Sequence, residues 1–464
     1  MSGPGGARYR FGPRERGGSL AGWRPGQILT VAVGLIFGVL VLRAEPNAAG
    51  VATSVGVLVL FGAMATVPVA GRTGDEWLPV VVCWSARRTR APGGRGGSSG
   101  PSGRGRAMGA LRGVRLLRAG WQDMGVVHDR AARTLTAAVS LRGRSFALLG
   151  PDEQDRRVGA WASVLASLAR EGSPVHRVQW VAASFPDDGR GVHAYVASES
   201  VAGSGSACTA SYDALLADMD SHACAHDVVL ALQVRLTRSV EVGCAALARE
   251  MGSLVRLLAD ADVQVEAVLG AEDLACQLLR TYEPDAANTV GATAEDPWPM
   301  AMEESWSTVR VDGMVHATFW VAEWPRIEVR SDFLAPLLLG SARSTLAVVM
   351  APLGSDAAVR KVEASRTADL ADSELRRRGG FVSTARHARE SEVLARREAE
   401  LAEGHASFRY SGFVTISAAN HEDLATACDA VQHAAGQSRL ALRRLYGDQA
   451  SAYTCTLPLC RGLR

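Results

Sequence analysis

Two apolar runs near the start of the chain, Ile28–Leu42 and Ala48–Ala70, constrain the fold more than anything else in it. Only Arg43-Ala44-Glu45-Pro46-Asn47 separates them, and neither run contains a charge. At ~1.5 Å per residue the second run spans a ~30 Å hydrocarbon core as a helix. The first does so if it begins near Ala21, with Arg24 reaching back to the headgroups. A helical hairpin closes its own hydrogen bonds, as lipid requires. Arg8, Arg10, Arg14, Arg16 and Arg24 precede the hairpin; Arg72, Arg87, Arg88, Arg90 and Arg95 follow it. The positive-inside bias then predicts a multi-pass protein of the cytoplasmic membrane with both termini in the cytoplasm. A secretory signal peptide is one competing reading, but it needs a cleavage site and no second span. A buried hairpin of a soluble domain is the other. Gly34, Gly38, Gly56 and Gly62 weaken a helix in water yet suit close packing in lipid.

The 464 residues suffice for two or three domains, and 47% hydrophobic with 21% charged content predicts that most of the chain folds. The basic charge is almost wholly arginine, with Lys361 the sole lysine. Eight cysteines lie scattered without CxxC spacing, as expected of reduced, mostly buried thiols.

The predicted fold class is α+β: an N-terminal transmembrane helical hairpin, then two cytoplasmic α+β domains. Residues 1–22 read as a flexible basic N-terminus, 23–86 as the hairpin with its flanks and 87–110 as a Gly/Ser/Arg linker. A first α+β domain is expected over 111–298. A second, ferredoxin-like (split βαβ) domain with a charged helical pair is expected over 299–464. Trp77 and Trp84 flank Val80–Cys83, either as an interfacial anchor or around a short buried strand. No acidic residue lies between Glu76 and Asp123, while nine arginines do. Beside a membrane span that field most simply meets anionic lipid. Nucleic-acid binding is the alternative, but interleaved aromatics and a recognition helix are missing. The lipid-contacting candidates are therefore Arg24, Trp77, Trp84, Arg87, Arg88 and Arg90.

Within the first domain, strands are expected at Gly125–Asp129, Thr134–Leu141, Ser145–Leu149, Val175–Ala183, Val228–Leu236 and Val263–Gly270. Helices are expected from Pro151 to Ala169, Tyr212–Asp220, Cys244–Ala259 and Glu272–Arg280. In the second, a hairpin turns at Asp312-Gly313, and a helix runs from Ser331 or Asp332 to Leu339. Strands follow at Ser344–Pro352, Ser407–Ser417 and Arg439–Leu445. Charged helices are read over Asp356–Arg378 and Ala385–Glu403, and another helix over Glu422–Ala435.

Several chemistries are excluded. A P-loop needs glycines around a phosphate-binding lysine, and Lys361 stands in Val359-Arg360-Lys361-Val362-Glu363. The GxSxG string Gly96-Gly97-Ser98-Ser99-Gly100 lies in low-complexity sequence and not on a strand-to-helix turn. His222-Ala223-Cys224-Ala225-His226 could offer zinc two histidines if helical, but Cys224 would point away. His421-Glu422 starts an HExxH that Ala425 ends. No catalytic, cofactor or metal site is assigned, and the chain reads as a non-enzyme.

The basic leader with Gly22-Trp23, Gly125-Val126-Val127-His128-Asp129, Arg133-Thr134-Leu135-Thr136-Ala137, Phe146–Gly150, Trp161–Ala166 and Val178-Gln179-Trp180 give the chain a resemblance. It resembles actinobacterial two-span membrane proteins of type IV-like, conjugation-type secretion systems. From about Met314 it is also similar to the end of the N-terminal non-motor domain of VirB/TraC-type conjugation ATPases. That similarity is carried by Val321-Ala322-Glu323-Trp324-Pro325, the charged helices, Phe408–Phe413 and Leu457-Pro458. The motor's nucleotide site has no counterpart here. The resemblance implies a structural component that offers a cytoplasmic platform to a separate motor ATPase and other membrane components, and that self-associates. A membrane-tethered hydrolase and a membrane-anchored regulatory or DNA-binding protein are the alternatives.

Overall fold

The computed structural model describes residues 25–67, 72–90, 109–143, 146–186, 189–199, 211–216, 224–284, 297–354 and 406–463, with a few between 358 and 399. It opens with helices α1 (Pro25–Ala44), α2 (Ala48–Thr66) and α3 (Gly74–Arg90). Then follow β1 (Val114–Arg118), β2 (Gly125–Asp129), β3 (Thr134–Arg142), α4 (Pro151–Leu168), β4 (Val175–Pro186), α5 (Arg190–Glu199), β5 (Cys224–Arg235), α6 (Val240–Asp260), β6 (Gln264–Val268) and α7 (Ala271–Tyr282). The second half has β7 (Met302–Glu304), β8 (Val309–Val311), β9 (Met314–Glu323), α8 (Ala335–Leu338), β10 (Ser344–Leu353), β11 (Ser407–Ala418), α9 (His421–Gln437), β12 (Ala441–Arg444) and α10 (Gln449–Tyr453).

All twelve strands join one antiparallel sheet, ordered β1-β2-β3-β5-β4-β10-β11-β9-β8-β7, with β6 also beside β3 and β12 beside β9. The two halves repeat one strand order. In the first it is β6-β3-β5-β4; in the second it is β12-β9-β11-β10. β3 and β9 each pair at their start with one strand of a hairpin, β2 or β8, and at their end with β6 or β12. The halves meet where β4 lies antiparallel to β10, Trp180 opposite Val348. The strands before residue 298 and those after residue 299 therefore share one sheet.

Strand alternation divides the core between the two faces. On one face Leu135, Val139, Leu230 and Leu232 pack under α4 and α6. Phe319, Leu346 and Ile416 pack under α8 and α9 on that same face, and Trp180 touches both clusters. The helices bring matching stripes: Leu247, Met251, Leu254 and Leu258 on α6, and Leu424, Cys428, Val431 and Ala435 on α9. Both are spaced i, i+4, i+7, i+11, one face of a 3.6-residue helix. Ser239 and Asn420 cap these helices by accepting N–H bonds from their first turns. On the opposite face Ala138, Val229, Ala231 and Ala347 meet α7, Tyr453 and the C-terminal residues Leu457, Leu459 and Cys460.

That C-terminal stretch crosses the sheet from the second half to the first. Gln179, fully buried on β4, donates to Cys455 O at 2.8 Å and accepts from Cys460 N–H at 2.6 Å. Arg177 donates to the carbonyls of Cys460 and Leu463. Arg461 pairs with Asp129 at 2.5 Å and donates to Ala110 O. Neutral and charge-assisted hydrogen bonds thus hold an irregular segment that is mostly buried.

Several local expectations are corrected. Phe146–Leu148 is a 3-10 turn, because Gln154 draws Phe146 O and Leu149 O into the N-terminus of α4. The helix expected to start at Ser331 or Asp332 is only the four residues of α8. Cys224 and His226 lie in β5, opposite Pro186 and Ser184, so helical zinc spacing does not arise. Val80–Cys83 belongs to a helix, and residues 87–90 extend that helix into the expected linker. Residues 91–108 and most of the charged helical pair lie outside the described residues, as do Arg24, the GxSxG string, His222 and Lys361.

Candidate membrane-docking interface

Helices α1 and α2 are each long and apolar enough to cross a membrane, and both are mostly exposed. They pack where their side chains are small. A Cβ on Gly34 would stand 2.6 Å from Phe61, and Ser54 donates to Gly38 O at 3.0 Å. Asn47 caps α2 by accepting from Gly50 N–H. At the open end Gln27 Nε2 donates to Ala65 O at 2.8 Å and ties the helices together. Leu29, Leu35, Ile36, Val59 and Leu60 stand exposed around the outside.

The base of the hairpin leads directly into α3. A Cβ on Gly26 would meet the Asp75 carboxylate, and one on Gly74 would meet Met64. From there α3 lies against the second half of the sheet domain. Trp77, Val80 and Trp84 recur at helical spacing on one face. Trp77 stacks on Trp306 at 5.7 Å and leans on Tyr446 at 5.7 Å; Trp84 meets Trp306 edge-on at 5.2 Å. Gly447, at φ +69°, lets the chain pass close to Trp306 and Val80, where a Cβ would lie 2.8 and 3.0 Å away. Arg72 sits over the Trp77 ring, and Arg443 reaches Glu76 at 3.6 Å. Burial lowers the affinity of Arg72 for its proton, and Asp448 opposes that loss. On another flank Pro79 and Cys83 face Phe413, Leu445 and Leu463 across a cleft of about 1070 Å³.

Among the six lipid-contacting candidates, Trp77 and Trp84 are thus brought together, packed on aromatics of the same chain. Arg87, Arg88 and Arg90 occupy the last turn of α3. Arg24 lies outside the described residues. Trp306, Tyr446 and Gly447 escaped the sequence reading, because they are hundreds of residues away and carry no periodic signal.

Elsewhere, no three His, Cys, Asp or Glu side chains among the described residues converge as metal ligands. A Ser–His pair is present on the sheet: His316 Nδ1 lies 2.8 Å from Ser417 Oγ. His316 is fully buried against Tyr453, and burial, aided by Arg343, pushes its pKa down to about 3. Burial of this kind disfavours the imidazolium that a general base must become. Nearby, Thr318, Thr415 and Thr456 link in a buried hydroxyl chain.

No protein-family model matches the chain, and no curated protein matches it.

Proposed function

We propose that this chain is a membrane-anchored structural component of a type IV-like, conjugation-type secretion apparatus, a cytoplasmic platform for a separate motor ATPase. The observation that carries the anchoring is the pair of exposed apolar helices joined, through α3, to a folded sheet domain. Water would not tolerate that much contiguous apolar surface. The arginine bias puts both termini in the cytoplasm. The order β12-β9-β11-β10, with α8 and α9 on one face, supports a ferredoxin-like reading of residues 299–464, as the resemblance implies. The same order in the first half supports a platform of two such units. The protein works in this reading by holding a binding surface at the membrane, without bond-making of its own. The test is extraction of native membranes with mild detergent, followed by affinity purification of the full chain. Co-purification of the motor ATPase encoded beside it is expected. Recovery of a lone monomer, or release of the chain by alkaline carbonate, overturns the proposal.

A further inference from the structure

The part of α3 between its charged ends has no charged face, and Ser85 is the one polar side chain on its exposed flank. From Trp77 to Ala86 it carries no charge; Asp75 and Glu76 precede this stretch, and Arg87, Arg88 and Arg90 follow it. Three flanks can be told apart at 100° per residue. Trp77, Val80 and Trp84 pack on Trp306 and Tyr446. Pro79 and Cys83 line the cleft. On the third flank Leu78, Val81 and Val82 are 61%, 42% and 56% exposed. A helix lying on a soluble domain normally turns charged residues outward. This one turns leucine and valine outward, on the helix next in the chain after the hairpin. Its first turn is wedged against that end, through Gly26 to Asp75 and Gly74 to Met64.

We infer that α3 lies in the plane of the membrane surface, with Leu78, Val81 and Val82 in the boundary between headgroups and acyl chains. Its tryptophans face the other way and hold the sheet domain. The occupant of the open flank is the lipid of the leaflet from which the hairpin emerges. Continuity with the hairpin argues for this, as does the charge pattern, apolar in the middle with arginines after it. The device fixes the orientation of the sheet: the tryptophan face sets how the domain sits, and the valine face sets where the bilayer lies. Residues expected from sequence to touch lipid, Trp77 and Trp84, thereby act as the domain's grip on the helix. The inference rests on the anchoring reading above.

The experiment replaces single residues of the full chain with the photo-crosslinker p-benzoylphenylalanine, in membranes of phosphatidylethanolamine and phosphatidylglycerol. The sites are Leu60 on the hairpin, Leu78 and Val82 on α3, and Leu148, which is 85% exposed on the sheet domain. All four are surface positions, so folding is preserved; tryptic-fragment patterns matching the unsubstituted chain confirm it. Lipid adducts at Leu60, Leu78 and Val82, at least tenfold above Leu148, are the expected result. Adducts at Leu60 with only protein crosslinks or none at Leu78 and Val82 overturn the inference and leave the anchor standing. Absence of lipid adducts at Leu60 overturns the anchoring itself.

Discussion

Gln179 shows how much one side chain can hold. It is buried on the strand where the two halves meet, and both ends of its amide are engaged by the C-terminal segment. Gln179→Leu leaves Cys455 O and Cys460 N–H buried without these partners, at about 1–3 kcal/mol for each. The expected outcome is a clear loss of stability in a denaturant titration of the detergent-solubilised chain. His316 makes a prediction of a different kind. Burial lowers its pKa to about 3 in the fold, while an unfolded histidine titrates near 6.5. The unfolded state therefore binds the extra proton first. Stability from this group is intact above about pH 6.5 and falls by ~1.4 kcal/mol per pH unit below it, down to the folded pKa. His316→Phe should flatten the acid limb of a stability profile between pH 6.5 and 4. Asp129 acts lower down. Burial favours its neutral form, but the Ala132 N–H and the Arg461 guanidinium outweigh burial and depress its pKa. Its contribution is thus present above the ordinary carboxylate range and lost as pH falls through the depressed value.

At the scale of elements, α3 is the joint between hairpin and sheet. Trp306 is its socket, in contact with Trp77, Trp84 and Tyr446. Trp306→Ala removes an aromatic packing worth about 2–4 kcal/mol at a partly exposed site. The expected outcome is faster hydrogen exchange and earlier proteolysis within Gly74–Arg90, with α6 and α9 unchanged. Equal loss of protection in α6 would mean that Trp306 supports the whole domain. The helices α6 and α9 are legible as elements because a four-position apolar stripe specifies a helix locally, while their caps, Ser239 and Asn420, lie ahead of the expected starts at Cys244 and Glu422. The strand expected at Ser145–Leu149 was not. Its apolar residues match a strand, and what overrides them is Gln154, which binds two carbonyls of the turn. Of the two alternatives for Val80–Cys83, the strand fails for a related reason: a β-branched run bounded by tryptophans suits a strand until it has a helix-packing partner.

For the molecule as a whole, the continuous sheet has a thermodynamic consequence. The β4–β10 pairing and the crossing C-terminal segment couple the halves through buried hydrogen bonds. Leu254→Ala, deep under the first half, should cost about 2–5 kcal/mol. It should shift the unfolding midpoints reported by probes on both halves together. Two separate transitions, with only the first displaced, would show that the halves fold independently.

One set of features follows from local chemistry alone. That includes the uncharged apolar runs and their arginine flanks, the helix caps and stripes, the Asp312-Gly313 turn and the alternation of strands with helices. These depend on periodicity and on residues a few positions apart. The tertiary structure alone decided that the two α+β stretches share one sheet with a repeated strand order, that the C-terminal residues bind across it, and that Trp77 and Trp84 face Trp306. Each of those joins residues far apart in the chain, and pairing at such a distance depends on which surfaces remain unburied once every local element has formed.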